Sequence, residues 1–272
     1  MDLVTLSPST GHAVRVLASG LPDYPLLQPS LSPDGRTAWF ARIGGGGTAA
    51  GGGTHLASVG VDGGPVIDRT PPGSPDEAPA VSPYGTLLAF YRARYDAPQA
   101  DDRVWLVIES LTAGRVVAER LSAGVEPYWS PDGRHLLEEP GRGGDPCPVV
   151  DDLGPDGIII ATHRPDPGLC SLPSAMNYLP DGSILSGVAC PADPLHMPGG
   201  ALARVDPVTF HSSILLCLPT GVLATSVCVE DGGQILLVAG PPAQRGGSLY
   251  EVSGGHVRAI NDRRNLIRVA CR

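Results

Sequence analysis

The residue types that most often do chemistry in proteins are scattered along this chain of 272 residues. Its histidines do not fall at metal-ligand spacings, so each is expected to be an ordinary surface or strand residue. They are His12, His55, His135, His163, His196, His211 and His256. The sequence contains no Gly-x-Ser-x-Gly, His-Glu-x-x-His or Cys-x-x-Cys motif. We therefore predict no catalytic residue, no metal site and no cofactor.

Two adjacent carboxylates, Glu138 and Glu139, fall in a segment that has the pattern of a strand. Successive strand residues point to opposite faces of a sheet, so these two side chains cannot work together as an acid and base pair. Each is expected to be solvated or to bond to a turn.

Cysteine is confined to the C-terminal half of the chain. The six residues are Cys147, Cys170, Cys190, Cys217, Cys228 and Cys271. An even count without paired zinc spacing favours disulfides over zinc. We predict at least one disulfide among Cys147, Cys170 and Cys190, with Cys147–Cys170 preferred. A disulfide indicates an exported domain, for example the ectodomain of a membrane-anchored protein, and free buried thiols in a cytoplasmic protein are the alternative.

Charge and hydropathy exclude several kinds of partner. The net charge is −9 and the pI is about 5.1, which argues against binding to nucleic acid or to anionic membrane surfaces. The sequence has no apolar run of the roughly 18 residues that a membrane span needs. All 19 basic residues are arginine, so chemistry that requires a lysine is excluded.

A repeated turn organises the chain. Its glycines, spaced 50, 48, 49 and 50 residues apart, are Gly35, Gly85, Gly133, Gly182 and Gly232. The first turn reads Ser32-Pro33-Asp34-Gly35, in which proline presets φ and glycine accepts a positive φ. Apolar runs on both sides of each turn predict two antiparallel strands joined by a short hairpin.

Two further strand-like runs follow each hairpin, which makes four antiparallel strands per repeat. This arrangement predicts an all-β propeller, in which each repeat is one blade that packs on its neighbours. The whole chain, 1–272, is expected to be one propeller domain and a monomer. Its predicted repeats span approximately 21–70, 71–121, 122–170, 171–219 and 220–260.

The two ends of the chain look like parts of one more blade. Residues 3–18 resemble two outer strands, and residues 265–271 resemble an inner strand. Joining 1–20 with 264–272 would close a ring of six blades and remove two exposed sheet edges. A ring of five blades with loose ends is the alternative.

The repeats resemble the TolB-type β-propeller repeat, a relative of the WD repeat, which has the pattern Pro-x-x-Ser-Pro-Asp-Gly. It stands here as Pro29-Ser30-Leu31-Ser32-Pro33-Asp34-Gly35 and as Pro127-Tyr128-Trp129-Ser130-Pro131-Asp132-Gly133. The resemblance covers about residues 20 to 260. It implies a propeller that serves as a protein-binding domain, a sensor ectodomain or the gating domain of a peptidase.

Antiparallel order places the Ser-Pro-Asp-Gly turns on one face of the ring, which we call the turn face. The loops between second and third strands, and the connections between blades, lie on the other, the loop face. Long irregular loops on a rigid scaffold often carry function. We therefore predict a loop face that binds a protein, peptide or glycan. Its candidate residues are Arg92, Arg94, Tyr95, Asp96, Arg142, Asp145 and His196.

A different class of function remains open from the sequence. A lyase, lactonase or hydrolase could use the central channel of such a ring, if polar side chains from several blades converged there. Trp39, Trp105 and Trp129 lie in predicted strands and are expected to fill space between blades.

Overall fold

The structure is a computed structural model, and it describes fifteen segments of the chain. These are residues 2–6, 13–19, 27–43, 54–71, 74–94, 103–122, 126–138, 150–164, 171–189, 200–219, 222–230, 234–241, 247–253, 255–266 and 270–271. Every regular element in these segments is a β-strand. They include no helix that could cross a membrane.

The strands form one hairpin and five antiparallel sheets of four strands each. The hairpin pairs β1 (Asp2–Leu6) with β2 (Ala13–Ser19). Blade 1 contains β3 (Leu27–Leu31), β4 (Thr37–Ile43), β5 (Thr54–Gly60) and β6 (Ile67–Asp68). Blade 2 contains β7 (Asp76–Val81), β8 (Leu87–Arg94), β9 (Arg103–Ser110) and β10 (Arg115–Ser122).

The other three sheets repeat this order of strands. Blade 3 contains β11 (Tyr128–Trp129), β12 (Leu136–Glu138), β13 (Val150–Leu153) and β14 (Ile159–His163). Blade 4 contains β15 (Ser171–Tyr178), β16 (Ile184–Ala189), β17 (Gly200–Val205) and β18 (Ser212–Cys217). Blade 5 contains β19 (Leu223–Val229), β20 (Ile235–Gly240), β21 (Gly247–Ser253) and β22 (His256–Leu266). The predicted all-β propeller is confirmed.

The repeated turns have the geometry that their residues predict. In the first, the Gly35 amide donates to the Ser32 carbonyl at 2.8 Å, and the Ser32 hydroxyl donates to Asp34 at 2.6 Å. Gly35 has a φ of 65°, a conformation that glycine adopts without strain. The turn of blade 3 repeats these bonds with Ser130 and Asp132. The hydrogen bond from serine lowers the pKa of Asp132, so this carboxylate stays ionised at neutral pH.

Apolar side chains from facing blades form the core. Trp39 of blade 1 is buried against Phe90 and Val107 of blade 2, and Trp129 of blade 3 is buried against Tyr91 of blade 2. Half-buried Trp105 packs against the first of these clusters. The predicted role of the three tryptophans as fillers between blades is confirmed.

The N-terminal hairpin lies between blade 5 and blade 1. Leu17 is buried with Phe40 and Val59 of blade 1, while Leu6 packs on Leu236 of blade 5. Arg15 donates to the backbone carbonyl of Asp62 in blade 1. The described residues therefore form five complete blades, the alternative number, and the hairpin lies in the gap where the predicted sixth blade would be.

At the C-terminal end, β22 extends to Leu266, so residues 265 and 266 belong to the outer strand of blade 5. Beyond it, Cys271 bonds to Cys228 of the inner strand β19, and it packs on the same apolar cluster as Leu6. Cys271 and Leu6, from the two ends of the chain, thus contact the same apolar cluster of blade 5.

The predicted pair Cys147–Cys170 and the third candidate, Cys190, lie outside the described residues. Cys228–Cys271 is a disulfide that the sequence analysis did not single out, and Cys217 is also disulfide-bonded. We expect fewer than six free thiols in the denatured, unreduced protein. Peptide mapping under nonreducing conditions should recover the Cys228–Cys271 cross-link and test Cys147–Cys170. Six free thiols would contradict both disulfides and would remove this argument for export.

Candidate functional site: the axial cavity

A cavity of about 230 Å³ lies where the inner strands of all five blades meet. Its wall includes Pro29 of blade 1, Pro79 of blade 2, Tyr128 of blade 3, Asn177 of blade 4 and Ser226 of blade 5. Ala270 and Cys271 of the C-terminal segment complete the wall. The cavity therefore lies on the axis of the ring and is lined by six parts of the chain.

Each inner strand is the last strand of its sheet, so one of its backbone edges has no strand partner within that sheet. Pro29 and Pro79 lie in these inner strands, Pro127 directly precedes β11, and all three line the cavity. Proline keeps its carbonyl oxygen but has no amide hydrogen to donate. Each proline therefore removes one possible hydrogen-bond donor from the wall.

Hydrogen bonds between blades fix several side chains of the wall. The Ser30 hydroxyl accepts from the Val81 amide at 3.3 Å. Trp129 Nε1 donates to the Ala80 carbonyl at 3.0 Å, and Asn177 Nδ2 reaches the Val227 carbonyl at 3.5 Å. These bonds run from one blade to the next, so the wall of the cavity is also the seam that joins neighbouring blades.

Glu126 is the carboxylate of the described wall, which includes no basic side chain. The Tyr128 hydroxyl donates to Glu126 Oε2 at 2.7 Å and so orients the carboxylate. Glu126 precedes β11, at the loop-face end of the wall. Pro83 belongs to the repeated turn of blade 2, so the wall extends to the turn face at its other end. A carboxylate in a wall whose described residues include no basic side chain favours a positively charged group or one rich in N–H donors.

The structure describes two of the seven candidate residues that the sequence predicted for the loop face. Arg92, half-buried near the end of β8, donates from Nε and Nη2 to the two carboxylate oxygens of Asp76 at 2.6 and 3.0 Å. This pairing raises the pKa of Arg92. Arg94 is the last residue of β8. The other candidates, Tyr95, Asp96, Arg142, Asp145 and His196, lie outside the described residues.

A buried polar cluster lies between blades 2 and 3, and the expected solvation of Glu138 is wrong. Glu138 is fully buried, and its Oε1 is 3.4 Å from Arg120 Nη1. Arg120 Nη2 is also 3.4 Å from Asp151 Oδ2, and the Thr162 hydroxyl donates to Asp151 at 2.6 Å. Burial raises the pKa of Glu138 to about 7, although Arg120 and Ser122 act in the opposite direction.

An alignment of the five repeats indicates from the sequence that Glu138 is buried. Counted from the turn glycines, Glu138 stands where blades 1 and 2 have the buried residues Phe40 and Phe90. Its cross-strand neighbour is Asp151, whereas Phe40 faces Ala57. A carboxylate at a position that is otherwise core apolar marks a buried charge.

Three of the described histidines contact separate partners. His55 Nε2 is 3.1 Å from Asp68, and His135 Nδ1 is 3.0 Å from both carboxylate oxygens of Asp152. His163 stacks on Phe210 with ring centroids 4.1 Å apart. Within the described segments, no three histidine, cysteine or carboxylate side chains gather at one point where they could hold a metal ion.

In sequence, the chain matches no protein-family profile and no curated protein. In structure, it is similar to TolB from Acinetobacter baumannii, with a TM-score of 0.61 and 18% identity over 84% of this chain and 53% of that one. It is also similar to a putative TolB from Agrobacterium tumefaciens, with a TM-score of 0.62 and 14% identity over 94% of this chain and 88% of that one.

An enzyme has a similar architecture. An oligogalacturonate lyase in complex with manganese aligns with a TM-score of 0.56 and 14% identity, over 96% of this chain and 84% of that one. This chain spans about half the length of the Acinetobacter TolB. Identities this low establish the fold and leave function to the site. The chain is thus a β-propeller of TolB-like fold.

Proposed function

We propose that this chain is a binding propeller whose partner is a protein or peptide, and that the axial cavity receives a positively charged group of that partner. The observation that carries this proposal is the wall of the cavity, in which the oriented carboxylate of Glu126 lies among proline-rich strand edges. The net charge of −9 would also attract a cationic partner over longer distances.

The cavity suits one group better than a large ligand. At about 230 Å³ it is smaller than the usual pocket for a drug-sized molecule, which starts at about 300 Å³. An arginine or lysine side chain, or the amino group at the start of a peptide, would match both its size and its acceptors. The rest of the partner would then lie on a face of the ring, and we assign it to the loop face.

Short peptides test this proposal. We expect peptides with arginine or a free amino terminus to bind better than acetylated peptides without a basic residue, as measured by fluorescence anisotropy. Glu126→Gln keeps the size of the side chain but removes its charge, so it should weaken binding about tenfold. Glu119→Gln, a matched control at an exposed position on the outer strand of blade 2 and outside the cavity wall, should bind as the wild type does. Equal binding to Glu126→Gln, or a preference for acidic peptides, would sink the proposal.

Binding measurements on further variants identify the face of the ring that the rest of the partner covers. If the partner covers the loop face, Arg94→Ala and Tyr95→Ala weaken binding and leave the melting temperature unchanged. Asp132→Ala, which removes a turn hydrogen bond on the turn face, lowers the melting temperature and leaves affinity unchanged. The reverse pattern would move the contact to the turn face.

We also assign the protein to an extracytoplasmic compartment. Disulfides persist in oxidising surroundings and are rare in the cytoplasm. Cys228–Cys271 supports this location, since it joins the C-terminal segment to an inner strand of the ring.

A further inference from the structure

We infer that Glu138, Arg120 and Asp151 form a proton-operated switch between blades 2 and 3. The inference is independent of the proposed binding function, because it rests on a cluster between blades that lies apart from the residues of the axial cavity. Arg120 comes from the outer strand of blade 2, whereas Glu138 and Asp151 come from the middle strands of blade 3.

The cluster combines two acids with one base. Glu138 and Asp151 are directly opposite each other on β12 and β13, and both are buried. Arg120 lies 3.4 Å from each carboxylate, so a single positive charge is shared between two negative ones. A buried charge that is only partly neutralised is unfavourable, and a proton on one carboxylate removes it.

Burial and hydrogen bonds together distinguish the two acids. Asp151 accepts at 2.6 Å from the Thr162 hydroxyl, whereas Glu138 and Arg120 Nη1 form an ion pair without a well-aligned hydrogen bond. The groups that face Glu138 are Arg120 and Ser122 of β10 and Asp151 of β13. Glu138 is the more deeply buried of the two acids, and the cost of desolvating its anion outweighs the stabilisation from Arg120 and Ser122, so its protonated form is the one that fits the interface.

The direction of the pH effect follows from linkage. The pKa of Glu138 is about 7 in the folded protein, against an ordinary value of 4.5. We call the interface closed when Glu138 is buried against blade 2, and open when it is exposed to solvent. At a pH between these two pKa values, Glu138 is protonated in the closed interface and ionised in the open one. Closure therefore weakens as pH rises through this window, by up to about tenfold per pH unit. It is strongest at lower pH and changes no further once Glu138 is ionised in both states.

The cluster lies at the loop-face ends of strands β12 and β13. Glu138 is the last residue of β12, and Asp151 is the second residue of β13. Ionisation of Glu138 would favour separation of these strand ends from β10 of blade 2. Blades 2 and 3 would then be joined less tightly on the loop-face side, while their shared contacts near Trp129 persist.

Amide hydrogen exchange of the full chain tests the switch, with rates corrected for the intrinsic effect of pH. In the wild type we expect the opening constant of β12 and β13 to rise about a hundredfold as pH increases through the window. Glu138→Gln should show no such rise. Glu138→Leu, which copies Leu237 at the same position of blade 5, should behave likewise. The exposed control Glu119→Gln should follow the wild type.

Two outcomes would overturn the inference. One is a wild-type opening constant that does not change with pH. The other is a pH dependence that persists in both Glu138 variants. Glu138→Leu places an apolar residue at this core position. The pH dependence of the opening constant can therefore be measured in this variant even if Glu138→Gln does not fold.

Discussion

Replacing Trp129 with alanine should lower the free energy of unfolding by about 3–5 kcal/mol, the usual cost of removing a large buried aromatic side chain. Trp129 is buried between blades 2 and 3, where it packs with Tyr91, Leu136 and Leu153. The alanine variant would leave a cavity in this cluster. It would also remove the 3.0 Å hydrogen bond from Nε1 to the carbonyl of Ala80.

Urea denaturation of three variants separates these contributions. Trp129→Phe keeps most of the apolar volume and loses the hydrogen bond, so it should cost about 1–2 kcal/mol. Trp105→Ala makes the same truncation at a half-buried position, and its loss should be smaller. Similar losses for Trp129→Ala and Trp105→Ala would show that Trp129 does not anchor the seam between blades.

Deleting residues 1–19 should lower the melting temperature by about 10–20 °C. Leu3 and Leu17 pack on blade 1 and Leu6 packs on blade 5, so the deletion exposes apolar surface on both sides of the closure. Burial of one such side chain contributes about 1.5–3 kcal/mol. In a domain of this size each kcal/mol shifts the melting temperature by about 2–4 °C.

A milder variant controls for the effect of shortening the chain. Leu17→Ala keeps the hairpin and removes only its buried contact with blade 1, so it should cause part of the loss. Val14→Ala changes an exposed residue of the same strand and should have little effect. If the truncated protein melts at the same temperature as the intact one, the hairpin does not close the ring.

Local sequence determined much of the fold. The Ser-Pro-Asp-Gly turns form as their residues predict, because serine, aspartate and glycine bond within a few positions of one another. Their regular spacing predicted the blades, and strand order followed from short antiparallel connections. Strand ends were less certain. The fifth repeat was predicted to end near residue 260, whereas its outer strand β22 spans His256–Leu266.

The candidate sites depend on contacts that local patterns do not contain. The axial cavity exists only where five inner strands and the C-terminal segment meet, and the bond between Cys228 and Cys271 joins residues 43 positions apart. The partner of Arg92 is Asp76, on a neighbouring strand.

Glu138 shows what local sequence predicts and what only tertiary contacts decide. Its neighbours in the sequence suggested a solvated strand end, and the repeat alignment placed it at a core position. Only the tertiary structure brought Arg120 from another blade close to it. The proton affinity of a buried group depends on desolvation and on charges within a few ångströms, and those charges come from segments that are distant in sequence.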